Sequence, residues 1–130
     1  MADIWNSGAA GNSAPPGYGH LYTVGEVCAM LGITRKTLFY YDRIGLAVPT
    51  ARIGPQSHKV YDSEALKALK RIAEYREAGL SIEEIRILQG ADRAQKESVL
   101  ACARDRLLEE KAQLEIKIGK LEQMMHDRAL

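Results

Sequence analysis

The chain has 130 residues, of which 46% are hydrophobic, 6% aromatic and 27% charged, and its formal net charge is +1. That length holds one domain, or one small domain with an extension, around a mainly aliphatic core. Two cysteines without CxxC spacing exclude a disulfide framework or zinc knuckle, and no apolar run or basic leader opens the chain, so the expectation is a cytoplasmic protein with no membrane partner.

Residues 1–20, MADIWNSGAAGNSAPPGYGH, are rich in Gly, Ala, Ser, Asn and Pro and carry no helical or strand period. They read as a disordered N-terminal tail with Trp5 solvated. The pattern changes at Thr23. Thr23 and Glu26 fit a capping box, and Val24, Val27, Cys28 and Leu31 make one apolar face of a helix that Gly32 ends. Cys28 on that face is read as core. Thr34 caps a second helix that runs to about Ile44 and stops at Gly45. Two short helices around a tight Gly-containing turn form a helix-turn-helix candidate.

Ala47 to Val60 contains Pro49, Gly54 and Pro55, which forbid a helix. Alternation on either side of Gly54-Pro55 predicts a two-stranded hairpin, a wing. Asp62 or Ser63 caps the next helix, whose apolar set is Leu66, Leu69, Ile72 and Ala73 and whose end is Gly79. A second capping box at Ser81 and Glu84, with Leu80 and Ile85 as a hydrophobic staple, opens a helix that buries Ile82, Ile85 and Leu88 and ends at Gly90.

From about Asp92 to His126 there is no Pro and a single Gly, Gly119. Leu100, Leu107, Leu114 and Leu121 recur every seven residues, and Ile118 and Met125 supply part of a second row. A helix of roughly 50 Å cannot bury that stripe on a domain of about 70 residues. These six residues are therefore the dimerisation candidates, and a homodimer through a two-helix coiled coil follows. Arg104 and Lys111 interrupt the second row, which favours a short antiparallel overlap over a long parallel zipper. The fold class is mainly α: a winged helix-turn-helix DNA-binding domain with a small β-hairpin wing and a long C-terminal coiled-coil dimerisation helix. The expected boundaries are 1–20 for the tail, 21–90 for the DNA-binding domain and 91–130 for the dimerisation helix.

Charge is unevenly placed. From Thr34 to Tyr61, five cations (Arg35, Lys36, Arg43, Arg52 and Lys59) face Asp42 alone, a local charge of +4. From Glu97 to Leu130 six basic residues face seven acidic ones, a charge of −1. A basic segment inside a near-neutral chain points to a polyanion. On a helical wheel Leu38, Tyr41 and Ile44 share the core face. Lys36, Tyr40 and Arg43 lie together on another, flanked by Arg35 and Phe39. Such a helix enters the major groove N-terminus first, with Thr34, Arg35, Lys36 and Thr37 at its tip and Tyr40 and Arg43 along the groove wall. The expected partner is double-stranded DNA.

The stretches YTVGEVCAMLGITRKTLFYYDRIGLAVP, HKVYDSEAL and AGLSIEEIRILQ, in that order from about Leu21 to Gly90, resemble the MerR family of bacterial transcription regulators. The long helix behind them resembles the family's antiparallel dimerisation helix. The resemblance implies a homodimer on a palindromic promoter between over-spaced elements. The dimer bends and undertwists the DNA so that RNA polymerase engages both elements. With the wing added, the expected DNA contacts are Thr34, Arg35, Lys36, Thr37, Tyr40, Arg43, Arg52, His58 and Lys59. Two positions depart from the family pattern. Phe39 stands where the family usually has Arg, which removes a contact or replaces it with an apolar one such as a thymine methyl. His58-Lys59 stands where the wing usually reads Tyr-Arg, so Lys59 can neutralise a phosphate without a bidentate fork.

Cys102 is the candidate sensor. It lies near the start of the long helix, where metal- and thiol-sensing relatives place a cysteine, and Arg104 and Arg106 nearby could lower its pKa. A thiol/redox or metal sensor of the same fold, with dimer symmetry or His126 adding ligands, is therefore one alternative. A DNA-architectural coiled-coil protein that binds without regulating is another. No metal site or cofactor is expected within one chain. An enzyme is not expected, since no carboxylate pair, nucleophile–base set or phosphate loop occurs at useful spacing.

Overall fold

The computed structural model describes residues 19–127. The predicted tail, Trp5 included, lies outside the described residues apart from Gly19 and His20. The described residues form two compact units, one ending at Ala78 and one beginning at Gly79. The predicted domain break at Gly90 falls inside the second of these.

The first unit contains β1 (Tyr22–Thr23), α1 (Val24–Leu31), α2 (Arg35–Arg43), β2 (Ala51–Ile53), β3 (His58–Tyr61) and α3 (Ser63–Glu77). The caps account for the helix starts. Thr23 Oγ1 accepts from the Glu26 N–H at 3.1 Å while Glu26 accepts from the Thr23 N–H at 2.8 Å. Thr34 Oγ1 accepts from the Thr37 N–H at 3.1 Å, and Asp62, not Ser63, caps α3 through the Ala65 N–H at 2.8 Å. Each cap satisfies an amide that the helix itself cannot, an effect of about 1 kcal/mol. The turn between α1 and α2 is made by Gly32 at φ +69°, whose N–H donates to the Cys28 carbonyl. Gly45 at φ +74° ends the second helix in the same left-handed conformation.

The wing has three strands where alternation predicts two. The antiparallel order is β1-β3-β2, with Tyr22 opposite Tyr61 on one edge and Arg52 opposite Lys59 on the other. A strand of two residues carries no alternation to read, and Thr23 is at once its last residue and the cap of α1. The hairpin closes over Gly54 to Ser57, where the Ser57 N–H reaches the Gly54 carbonyl at 3.0 Å. The core joins Val27 of α1, Leu38 and Tyr41 of α2, Val60 and Tyr61 of β3, and Leu69 and Ile72 of α3, all buried. Full burial of each aliphatic side chain contributes about 1.5–3 kcal/mol. Ile44, predicted on the same face of α2, is half-buried. Cys28, predicted as core, is also half-buried; this burial pushes its thiol pKa up, against the lowering pull of Arg35.

The second unit contains α4 (Ile82–Gln89) and α5 (Arg93–His126). Leu80, Ile85 and Leu88 are buried with Ala103 of α5. The capping box at Ser81 and Glu84 is present, and a third, Asp92 with Gln95, opens α5. Asp92 ends the loop and Gln95 stands in for the Glu of the familiar motif, so the box escapes a search for Ser, Thr and Glu. Arg106 braces the two helices. Its guanidinium donates to both Glu84 carboxylate oxygens at 2.9 and 3.1 Å and to the Gly79 carbonyl at 3.1 Å. That pairing, with the Ser81 amide second, holds the Glu84 carboxyl at about 2 instead of its ordinary 4.5.

Two measurements follow from these interiors. The Tyr61 hydroxyl is buried with no hydrogen-bond partner among the described residues, and desolvation, reinforced by Asp42, pushes it up to about 12. An unsatisfied buried donor costs about 1–3 kcal/mol, so Tyr61→Phe is expected to leave the thermal midpoint unchanged or raise it; a clear fall would reveal a bonded hydroxyl. Glu84 takes up its proton at lower pH folded than unfolded, so its contribution is complete above about 4.5 and is lost as the pH falls towards about 2. Glu84→Gln should therefore flatten the decline of thermal stability across that window, and an unaltered pH profile would contradict the brace.

Candidate nucleic-acid interface

Burial of Leu38 and Tyr41 turns Lys36, Tyr40 and Arg43 away from the core. All three are exposed, and the Arg43 guanidinium lies over the Tyr40 ring at 5.3 Å from its centroid. Arg35 and Lys36 stand in the first turn of α2, where the unsatisfied amides add a positive end to the dipole. Neither enters an ion pair among the described residues, nor does Arg43. The Thr34 hydroxyl donates to Thr37 Oγ1 at 3.0 Å while it caps the helix. These two predicted contact residues therefore also build the tip that presents Arg35 and Lys36.

The wing cations are placed differently. Arg52 Nη2 donates to both oxygens of Asp42, at 2.9 and 3.1 Å. Lys59 Nζ lies 3.4 Å from Asp42 Oδ2 and 3.9 Å above the centre of the Phe39 ring. Arg52 and Lys59 face each other across the β2–β3 ladder, so one carboxylate on α2 gathers both. The Asp42 side chain is only 9% exposed, against 46% for Arg52 and 25% for Lys59. His58 Nε2 sits 3.2 Å from Gln56 Oε1 at the hairpin tip. Counting charges registers Asp42 but not that it gathers two of the five cations. It is the single acid in the basic segment, which was the available signal. Phe39 is exposed and turns its ring face to the Lys59 ammonium, so a cation from the wing stands at this position.

On α5, Leu100, Leu107, Leu114, Ile118, Leu121 and Met125 are all exposed. Leu108, Ile116 and Met124, which do not belong to the heptad rows, are exposed as well. Cys102 is exposed on the same helix. The arginines suggested as its activators face carboxylates: Arg104 bonds Asp105 at 3.0 Å and Arg106 bonds Glu84. Among the described residues no group of three His, Cys, Asp or Glu side chains is placed to hold a metal ion. Among the described residues no helix is long and apolar enough to cross a membrane.

A two-helix turn, an exposed basic and phenolic stripe on its second helix and a three-stranded wing beside it define a winged helix-turn-helix regulator. The chain belongs to the MerR family: residues 22–91 match the MerR HTH family regulatory proteins. It is 35% identical over 103 residues to the HTH-type transcriptional activator TipA of Streptomyces coelicolor, with 79% of this chain and 38% of TipA covered. It thus spans about two-fifths of that relative's length. The HTH-type transcriptional regulator HmrR of Sinorhizobium medicae is 34% identical over 104 residues, covering 78% of this chain and 67% of HmrR. Among solved structures, EcmrR in the cryo-EM structure of the EcmrR–DNA complex in EcmrR-RPo superposes with a TM-score of 0.65 at 25% identity, covering 82% of this chain and 41% of that one.

Proposed function

We propose that this chain is a sequence-specific regulator of transcription that binds promoter DNA as a homodimer, with α2 in the major groove and α5 paired with α5 of a second copy. The observation that carries the reading is the stripe of Lys36, Tyr40 and Arg43, outward on α2 with no carboxylate partner among the described residues. Arg35 and Lys36 reach base edges or phosphates at the helix tip. Tyr40 and Arg43, stacked on one another, bond phosphates along the groove wall. The apolar rows of α5, exposed within one chain, supply the dimer contact, and removing them from water contributes about 25 cal/mol per Å². The dimer reads a palindrome and distorts it at a cost of a few to about ten kcal/mol, offset by contacts from both subunits, so that RNA polymerase engages the promoter. EcmrR, solved with DNA, supports this assignment of partners.

The test is binding to a duplex from upstream of the chain's own gene, with scrambled competitor, at two salt concentrations. A preference of about a thousandfold at the higher salt is the expected result. Binding that salt abolishes and competitor erases would instead mark a DNA-architectural protein. Lys36→Ala and Arg43→Ala should each weaken binding and, where the lost contact is a phosphate, lower the salt slope by about one, with the dimer intact in sedimentation. Unchanged affinity in either variant would remove that residue from the interface. If Cys102 carries a signal, Cys102→Ser abolishes the response of DNA binding to oxidant or metal; a response that survives excludes it.

A further inference from the structure

We propose that Phe39 and Asp42 are positioning residues that lock the wing to α2 through Lys59 and Arg52, so that these two wing cations set the pose of the wing and the phosphate-neutralising charge is left to α2. The inference rests on the DNA-binding reading above and adds a division of labour among its cations.

Three features carry it. The first is geometry. Phe39 and Asp42 are three residues apart on α2 and so share one flank of the helix. Lys59 comes down between them, with its ammonium 3.9 Å from the ring centroid and 3.4 Å from the carboxylate. The second is saturation. Asp42 is bidentate to Arg52 and also holds Lys59, so the three groups together carry +1, not the +2 of two independent wing cations. For Lys59 to neutralise a phosphate it must leave a ring face and a carboxylate together. The third is contrast. Arg35, Lys36 and Arg43 make no ion pair among the described residues and keep their full charge for a polyanion. An Arg in place of Phe39 would set a second cation against Lys59, so the aromatic ring and the wing lysine fit each other. A ring face attracts an ammonium through its quadrupole, worth two- to fivefold in population at an exposed site, roughly.

The test has one arm without DNA and one with it. In the first, hydrogen exchange of the wing amides from residue 51 to 61 is compared in the wild type, Phe39→Leu, Phe39→Tyr, Lys59→Met and the double variant Phe39→Leu/Lys59→Met. Phe39→Leu should speed wing exchange by about two- to fivefold, and Phe39→Tyr, which keeps the ring face, should restore it. The double variant should do little more than either single change, because both remove one interaction. In the second arm the dependence of affinity on salt is measured with a mixed-sequence duplex. Lys59→Met should leave the slope at the wild-type value, whereas Lys36→Ala lowers it by about one. Wild-type exchange in Phe39→Leu overturns the lock. So does a slope that falls by about one in Lys59→Met, since Lys59 would then be a phosphate contact. A wild-type protein that does not bind the duplex at all would sink the DNA-binding reading, and the exchange arm alone would then decide the lock.

Discussion

The rotational phase of α2 decides where every charge near it goes. Leu38 and Tyr41 are pinned in the core, and at 100° per residue that leaves no choice for the others. Lys36, Tyr40 and Arg43 face outward, while Phe39 and Asp42 fall on the flank where the wing rests. The neighbouring tyrosines consequently differ in kind: Tyr41 is packed and Tyr40 is a platform for a guanidinium. A substitution that rotated α2 by one position would exchange these roles and break the wing contact at once. This makes the aliphatic Leu38, fully buried, as important to the proposed interface as the cations.

Much of this was legible in the sequence because it is local. Caps, glycine ends and the apolar faces of the helices depend on residues three or four apart, and Thr23, Thr34, Ser81 and Gly32 act as their types predict. What was hidden depends on distant pairs. Nothing near Tyr22 announces its pairing with Tyr61, and nothing near Asp42 announces Arg52 or Lys59, ten and seventeen residues away. Charge counting treats those three ions as independent, whereas the fold makes them one group. Burial was overestimated at the rim: Cys28 and Ile44 have the right phase, but they lie where the core thins. The heptad of α5 was visible, but periodicity singles out one stripe and ignores Leu108, Ile116 and Met124, which fall on other faces.

The two units are held by different physics. The first depends on a small core closed by a sheet, with polar groups disposed around it. The second has few buried side chains for its length, and its long helix exposes apolar groups over most of its turns. For a helix of 34 residues, propensity and side-chain pairs such as Arg93 with Glu97 and Gln113 with Glu109 maintain the backbone. They do not give it a buried face. In the proposed homodimer the stability of that unit is tied to association, and its melting then depends on protein concentration.

Gly32 and Gly45 bear on how such a protein can diversify. Both sit at positive φ, and a Cβ built at either would meet no atom within 4 Å. The constraint at these joints is therefore the chain's own dihedral and not the neighbourhood, which leaves Asn as an accessible replacement and excludes β-branched residues. The joints at the ends of α1 and α2 are thus shielded from drift in the surrounding core. Lineages can repack the interior or rewrite the face of α2 without renegotiating the angle at which that face is delivered.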